Sequence, residues 1–274
     1  MNRSGLDYRI LVTRSEVHLR REVGNHKDYS GWLMIAGGDT TFRIAVQEIL
    51  AARGAGGKIP RLAFFGTGSA NDIMRGMGIR GIRHLVRLIR SNSVRWMDIG
   101  MVKTESPEAS YCFLGSMSLG LGVVVNREMA RTRGEAGRPL AAWLPGIAAM
   151  RRAFRGGGLP MKLSFNRRRG EYSLAVVLNG PFYAGGLKLS PRASLFSQKM
   201  DLALLSSRGW ISTVGTGLGL LAGRRRGLEL ETGTGWLLDS PQPFEIQVDG
   251  DVFPAGCGCK IDLIPAALPV AAGN

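Results

Sequence analysis

The sequence is poor in cysteine and in long apolar runs, and each shortage argues against a class of protein. Its three cysteines, Cys112, Cys257 and Cys259, are an odd number, and two of them are separated by a single residue. This pattern argues against a disulfide-stapled scaffold and favours a reducing cytoplasm. No apolar run is long enough to span a bilayer, and no basic start followed by an apolar stretch marks a signal peptide. We therefore expect a cytoplasmic protein that can associate peripherally with a membrane.

Acidic residues are scarce, since 21 Asp and Glu face 36 Lys and Arg, which gives a net charge of +15. This surplus predicts an anionic partner: a nucleic acid, a phosphoryl compound or an acidic membrane face. No aromatic-rich basic strand accompanies the charge, so nucleic acid is the least favoured of the three. Arginine groups at 151–155, 167–169 and 224–226 fit a surface for anionic lipid. Solvated loop ends explain each group equally well when it is taken singly.

The first third of the chain alternates strand and helix patterns. Strands are predicted over 8–13, 31–36 and 62–65, and helices after the capping residue Ser15, over 42–53 and over 82–89. This alternation predicts a doubly wound α/β sheet. After about residue 95 the chain changes to short strands with glycine and proline turns, interrupted by one helical insert at 139–154. We expect this second part to be an antiparallel β-rich domain.

The segment "GGDTT" at 37–41 lies between a predicted strand and a predicted helix. Backbone N–H groups at a helix start bind phosphate, and Gly37 and Gly38 would let a phosphate approach closely. Asp39 could organise a magnesium ion or orient a hydroxyl, and Thr40 and Thr41 can donate hydrogen bonds. A tight turn in which Asp39 or Thr40 only caps the helix explains the segment equally well.

The segment "GTGSAND" at 66–72 repeats this arrangement after the next strand. Carboxyl ends of parallel strands meet at one edge of the sheet, where ligands bind. We therefore expect the two glycine-rich loops to lie together and to form a phosphate site.

Five motifs together resemble a known family. "GGDTT", "GTGSANDIMRGMGI", "GSMSLGLG", "NGPFYAGGLKLSPRA" and "VDGDVF" follow the order and approximate spacing of the diacylglycerol kinase and sphingosine kinase catalytic family, particularly its soluble bacterial lipid kinases. The insert "GRPLAAWLPGIAAM" also resembles a helix of that family. The resemblance implies a nucleotide-binding α/β domain at 1–97, a β-rich domain at 98–264, and a tail at 265–274 that packs back on the first domain. It implies a cleft between the domains for ATP, magnesium and a lipid hydroxyl.

The resemblance also implies roles for individual residues. Asp39 matches the aspartate of the family's glycine-glycine-aspartate motif, and Asp251, assisted by Asp249, matches the acid that accepts the hydroxyl proton. Thr13 matches a threonine on the adenosine side. The implied nucleotide-binding set is Thr13, Gly37, Gly38, Asp39, Thr40, Thr41, Gly66, Thr67, Gly68, Ser69, Asn71 and Asp72.

Several positions depart from the family pattern. Thr40 replaces a third glycine, and Asp251 is one methylene shorter than the usual glutamate. Ser197 and Gln198 stand where an Asp-Gly pair normally helps to bind a structural magnesium, and a serine is a poorer ligand for this hard cation. The family also has a strand and an Asn-Pro loop before the strand that residues 8–13 match. We expect that first strand to be missing, either because the chain start is truncated or because this is a reduced relative.

The sequence therefore predicts an ATP-dependent kinase that phosphorylates a lipid hydroxyl, with diacylglycerol as the default acceptor. A second hypothesis is a degenerate relative that binds lipid or nucleotide without phosphoryl transfer. A third is an NAD kinase-like enzyme, because that family shares the glycine-glycine-aspartate motif. The sequence leaves the formation of a homo-oligomer open.

Overall fold

The computed structural model describes residues 7–26, 29–54, 56, 58–68, 70–132, 143–166, 168–206, 209–224 and 227–273. The amino-terminal part alternates helices and two parallel strands. In chain order these are α1 (Glu16–Asn25), β1 (Trp32–Gly37), α2 (Asp39–Gly54), β2 (Arg61–Gly66), α3 (Asp72–Gly76) and α4 (Ile82–Arg90). Ser15 caps α1 as predicted, because its hydroxyl accepts a hydrogen bond from the His18 N–H at 3.1 Å.

The remaining part is dominated by antiparallel strands. Its elements are β3 (Val94–Glu105), β4 (Glu108–Phe113), β5 (Ser116–Gly120), α5 (Leu121–Thr132), α6 (Trp143–Arg155), β6 (Met161–Phe165), β7 (Arg168–Tyr172), β8 (Leu174–Leu178), β9 (Met200–Leu205), α7 (Trp210–Leu221), β10 (Leu228–Gly233), β11 (Gly235–Val248) and β12 (Asp251–Ala271). The mixed α/β fold class is as predicted. The helices α5 and α7 were not predicted. Three glycines interrupt α7, and α5 has a run of three valines near its start, which favours a strand.

The strands of the described residues join into one sheet of the order β1-β2-β12-β11-β5-β8-β9-β10, with β3 and β6 paired to β12 and β11. The long strand β12 connects the two halves of the molecule. It pairs with β11 near its start and reaches β2 through the Val270 and Leu62 pair near its end. One hydrophobic cluster therefore contains both Phe64 of β2 and Leu268 of β12, while a second cluster fills the space between the antiparallel strands.

The predicted strand at 8–13 is wrong. Residues 7–14 form neither strand nor helix, and Tyr8, Ile10 and Val12 are 61%, 72% and 75% exposed. A strand needs a neighbour for its backbone hydrogen bonds. Within the described part of the chain β1 pairs only with β2, and no strand pairs with residues 7–14.

Candidate functional site

The two glycine-rich loops lie together at the carboxyl ends of β1 and β2, in agreement with the expectation. The parallel register sets Gly37 opposite Gly66, and the Thr67 N–H donates to the Gly37 carbonyl at 2.8 Å. A Cβ atom added to Gly68 would lie 3.1 Å from the Gly38 Cα, which is a tight contact, so a side chain there would press on the opposing backbone. The loops therefore present closely spaced backbone groups to one space, as a phosphate site requires.

Asp39 is the first residue of α2 and faces this space. Its Oδ2 accepts a hydrogen bond from the Asp72 N–H at 3.3 Å. Its Oδ1 is buried and has no hydrogen-bond partner among the described residues. Burial raises the pKa of Asp39, and the nearby charge of Asp72 raises it further. A buried acceptor without a donor is costly to keep, so this oxygen is suited to an incoming cation or hydroxyl.

Thr40 and Thr41 complete the first turn of α2. Thr40 has a helical backbone, which a threonine adopts without strain, so the absence of the family's third glycine does not disturb the turn. Thr41 packs over Gly37, since an added Cβ there would lie 2.6 Å from the Thr41 Cβ.

The second loop leads into α3 through Asn71 and Asp72. The Asn71 side chain donates to the Gly68 carbonyl at 2.7 Å, which closes the loop on itself. Asp72 accepts from the Gly185 N–H at 2.8 Å and contacts Arg75 at 3.3 Å. These contacts join the loop to the segment that follows β8. Ser69, which the resemblance placed in the phosphate site, lies outside the described residues.

Asp249 lies in the turn between β11 and β12 and is 8% exposed. Its carboxylate accepts three backbone hydrogen bonds, from the N–H groups of Leu114 at 2.6 Å, Gly115 at 3.0 Å and Ser116 at 2.9 Å. Burial is the main cause that raises the pKa of Asp249 to about 7. These contacts give Asp249 a structural task, which is to hold the turn that precedes β5, while its assistance to Asp251 stays a prediction.

Asp251 is the first residue of β12 and lies opposite the first glycine loop. Its Oδ2 accepts from the Arg43 guanidinium at 2.8 Å, and its Oδ1 lies 3.4 Å from the Thr40 hydroxyl. Arg43 is almost fully buried and also lies over the Phe253 ring, 5.2 Å from its centroid. The site therefore contains an Arg43–Asp251 ion pair that the motifs did not reveal.

A signal for Arg43 was present in the sequence. Asp39 and Arg43 are four residues apart and so share one face of α2. Arg43 is also flanked by Phe42 and Ile44, both buried, in a helix that otherwise turns apolar residues inward. A charged residue inside such a segment needs an acidic partner. The motifs alone could not name that partner, because Asp251 is 208 residues away.

Asp251 also lines an open cavity of about 1200 Å³. The walls come from α5, α6, the segment before β6, and β11. Apolar side chains such as Val123, Met161 and Phe244 share the lining with two ion pairs, Arg127–Glu245 and Arg152–Glu128. The space is large enough for part of an amphiphilic molecule.

Two predicted ligands show no contact with the glycine loops among the described residues. Thr13 belongs to the segment without secondary structure and makes no hydrogen bond to either glycine loop in the described part of the chain. The Ser197 hydroxyl lies 2.9 Å from the Ser194 carbonyl oxygen and 3.0 Å from that of Lys199, to which it can donate. Its role as a metal ligand stays a prediction.

Known proteins support the motif-based interpretation. Residues 1–102 match the family model of the diacylglycerol kinase catalytic domain, and no curated protein matches the chain. A solved structure described as "a putative diacylglycerol kinase" from Bacillus anthracis str. Sterne superposes with a TM-score of 0.71 at 19% identity, covering 96% of this chain and 85% of that one. A structure of a diacylglycerol kinase from the same organism gives 0.65 at 16% identity, with coverage of 96% and 84%.

Likeness at such low identity shows the fold, while the family-model match concerns the amino-terminal part of the sequence. The resemblance that the five motifs predicted is therefore confirmed: residues 1–102 match the diacylglycerol kinase catalytic domain, and the chain has the two-part fold of proteins described as diacylglycerol kinases.

Proposed function

We propose that the protein is an ATP-dependent lipid kinase that transfers the γ-phosphoryl group to a lipid hydroxyl, with diacylglycerol as the default acceptor. The observation that carries the proposal is the convergence of the two glycine loops beside Asp39, whose buried Oδ1 lacks a partner among the described residues. Phosphoryl transfer depends on positioning and charge stabilisation. Backbone N–H groups and the start of α2 provide both for a bound triphosphate.

Magnesium fits this site through Asp39. Among the described residues no three His, Cys, Asp or Glu side chains are close enough to form a metal site by themselves. Magnesium bound by one or two carboxylates together with substrate phosphates needs no such cluster. When bound, the ion would neutralise charge on the transferred phosphoryl group, and Asp39 Oδ1 would hold it beside the glycine loops.

Asp251 is the proposed proton acceptor for the lipid hydroxyl. It borders the cavity of about 1200 Å³ and contacts Thr40 of the first glycine loop, which supports a position between lipid and nucleotide. Arg43 and Thr40 contact one oxygen each, and each oxygen keeps a further lone pair that could accept a bond from the lipid hydroxyl. Asp249 would hold the adjoining turn in place.

The decisive experiment measures transfer of labelled phosphate from ATP to diacylglycerol in mixed micelles, with Asp39→Asn as the test variant. The amide keeps the size of the carboxylate and removes its charge, so we expect at least about a hundredfold loss of turnover. Asp262→Asn, a change of a partly exposed carboxylate on β12, is the matched control and should retain full activity. Equal turnover in wild type and Asp39→Asn would remove Asp39 from the mechanism.

A second candidate function is binding without phosphoryl transfer. The Arg43–Asp251 ion pair favours it, because a carboxylate held by a buried guanidinium is less free to accept a proton from a substrate. Binding of ATP, measured calorimetrically, and turnover must therefore be determined separately. Saturable ATP binding with no transfer to any lipid of a panel would favour this candidate, and phosphorylation of NAD but of no lipid would favour an NAD kinase-like enzyme.

A further inference from the structure

Helix α7 presents an apolar stripe to solvent. Its twelve residues include no charged side chain. The exposed positions Ile211, Gly215 and Leu218 follow the i, i+4, i+7 spacing of a single helix face, and Ile211 and Leu218 are 70% and 62% exposed. The other sides of the helix are covered: Trp210 and Val214, on the flank of the stripe, pack on the cluster that α7 shares with α6, and Leu220 packs on a further cluster. The outward stripe thus has no structural partner within the described part of the chain.

Arginines lie at both ends of α7 and on the neighbouring helix α6. Arg151 of α6 lies over the Trp210 ring, 5.8 Å from its centroid, which places its charge at the start of α7. Arg155, one helical turn further along α6, is exposed, and so is Arg224, which follows the end of α7. None of these three arginines forms an ion pair with an acidic residue that the structure describes. The face therefore combines apolar side chains with unneutralised positive charge.

We propose that this face, defined by Ile211, Leu218, Arg151, Arg155 and Arg224, docks the protein on an anionic phospholipid bilayer. Ile211 and Leu218 would enter the boundary between headgroups and acyl chains, and the arginines would contact lipid phosphates. The charge selects this partner, because a purely apolar protein groove would leave the arginines unpaired and a neutral bilayer would not attract them. The net charge of +15 acts in the same direction over longer distances.

Helix α6 connects the docking face to the cavity. Arg152 and Ala149 of the same helix line the cavity that Asp251 borders. Docking would thus bring the bilayer to the helix that forms one cavity wall, where an acceptor lipid is needed. This use rests on the proposed function, whereas docking itself does not, and no helix of the described residues is long and apolar enough to cross a membrane.

The test measures co-sedimentation with vesicles of phosphatidylcholine alone and of phosphatidylcholine with an equimolar amount of phosphatidylglycerol, without nucleotide. We expect binding to the anionic vesicles only. The double variant Ile211→Ser with Leu218→Ser should lower the partition coefficient about tenfold or more, because it removes the inserted apolar area. The double variant Arg151→Gln with Arg155→Gln should lower it about fivefold for each arginine removed.

Matched controls use another part of the surface. Val17→Ser on α1 removes an equally exposed apolar side chain, and Arg83→Gln with Arg87→Gln removes two exposed charges from α4. Both controls should bind anionic vesicles like the wild type, and thermal melts should show that all variants are folded. The proposal is wrong if the α4 variant loses as much binding as the α6 variant, which would indicate unspecific charge attraction. It is also wrong if the α7 variant retains full vesicle binding. Loss of self-association in this variant, with vesicle binding unchanged, would show that the stripe instead contacts a second copy of the chain. Because no turnover is measured, an inactive kinase would not affect the result.

Discussion

Asp249 should make the stability of the protein depend on pH in an unusual direction. Its carboxylate is buried in the turn before β12, and the N–H groups of Leu114, Gly115 and Ser116 are its hydrogen-bond donors. Burial outweighs these donors and raises the pKa of Asp249 to about 7, whereas the ordinary value is 3.8. Between these two values the folded protein holds the proton and the unfolded chain does not. Stability must therefore fall as pH rises through this window.

The magnitude follows from the difference between the two pKa values. One pKa unit corresponds to about 1.4 kcal/mol, so the wild type should lose about 3 kcal/mol of unfolding free energy at this site between about pH 5 and about pH 8. Asp249→Asn removes the titration. The Asn side chain also places an amide N–H group against a backbone N–H donor. This lowers the unfolding free energy by about 1–3 kcal/mol relative to the wild type near pH 5. The variant should therefore be less stable than the wild type near pH 5 and should lose this disadvantage near pH 8.

Urea denaturation of both proteins across this pH range measures the difference, provided that the dependence of the unfolding free energy on urea is the same in both. Asp262→Asn, on the surface of β12, serves as the control and should show no comparable change. A stability difference that is constant with pH would show that Asp249 does not titrate in this window. A difference that grows with rising pH would show that the three N–H donors outweigh burial, and the reasoning would be refuted.

Two further predictions concern the loops. The double variant Ser197→Asp with Gln198→Gly should gain thermal stability from magnesium in the absence of nucleotide, because a carboxylate would join the Ser194 and Lys199 carbonyls as a ligand. The uncharged pair Ser197→Asn with Gln198→Gly is its control, and an equal magnesium response in both would contradict the prediction. Gly68→Ala should weaken ATP binding severalfold, since its Cβ would lie 3.1 Å from the opposing backbone. In contrast, Gly54→Ala, which meets no atom within 4 Å, should bind ATP normally in the same calorimetric titration.

Local patterns predicted most of the amino-terminal fold. The strands β1 and β2 and the helices α2 and α4 were all predicted from hydrophobic periodicity and capping residues. The meeting of the two glycine loops followed from the rule that parallel strands end at one edge of a sheet. The segment 8–13 shows the limit of this approach. Its composition is typical of a strand, but a strand also requires a paired neighbour, and that requirement lies outside the segment.

The partners of buried charges could not be predicted in this way, because they depend on contacts between distant parts of the chain. Arg43 and Asp251 are 208 residues apart and meet only because β12 returns to the start of α2. The pairing of β11 with β5 carries Asp249 onto the backbone of residues 114–116, where it accepts hydrogen bonds from N–H groups. The motif "VDGDVF" thus contains two aspartates with different contacts: Asp249 is buried and holds a turn, while Asp251 is about one-third exposed and reaches the cavity. Position in the motif does not separate these roles, whereas burial and hydrogen-bond donors do. The kinase hypothesis therefore depends on Asp251, and on whether its carboxylate accepts the proton of a lipid hydroxyl while Arg43 holds it.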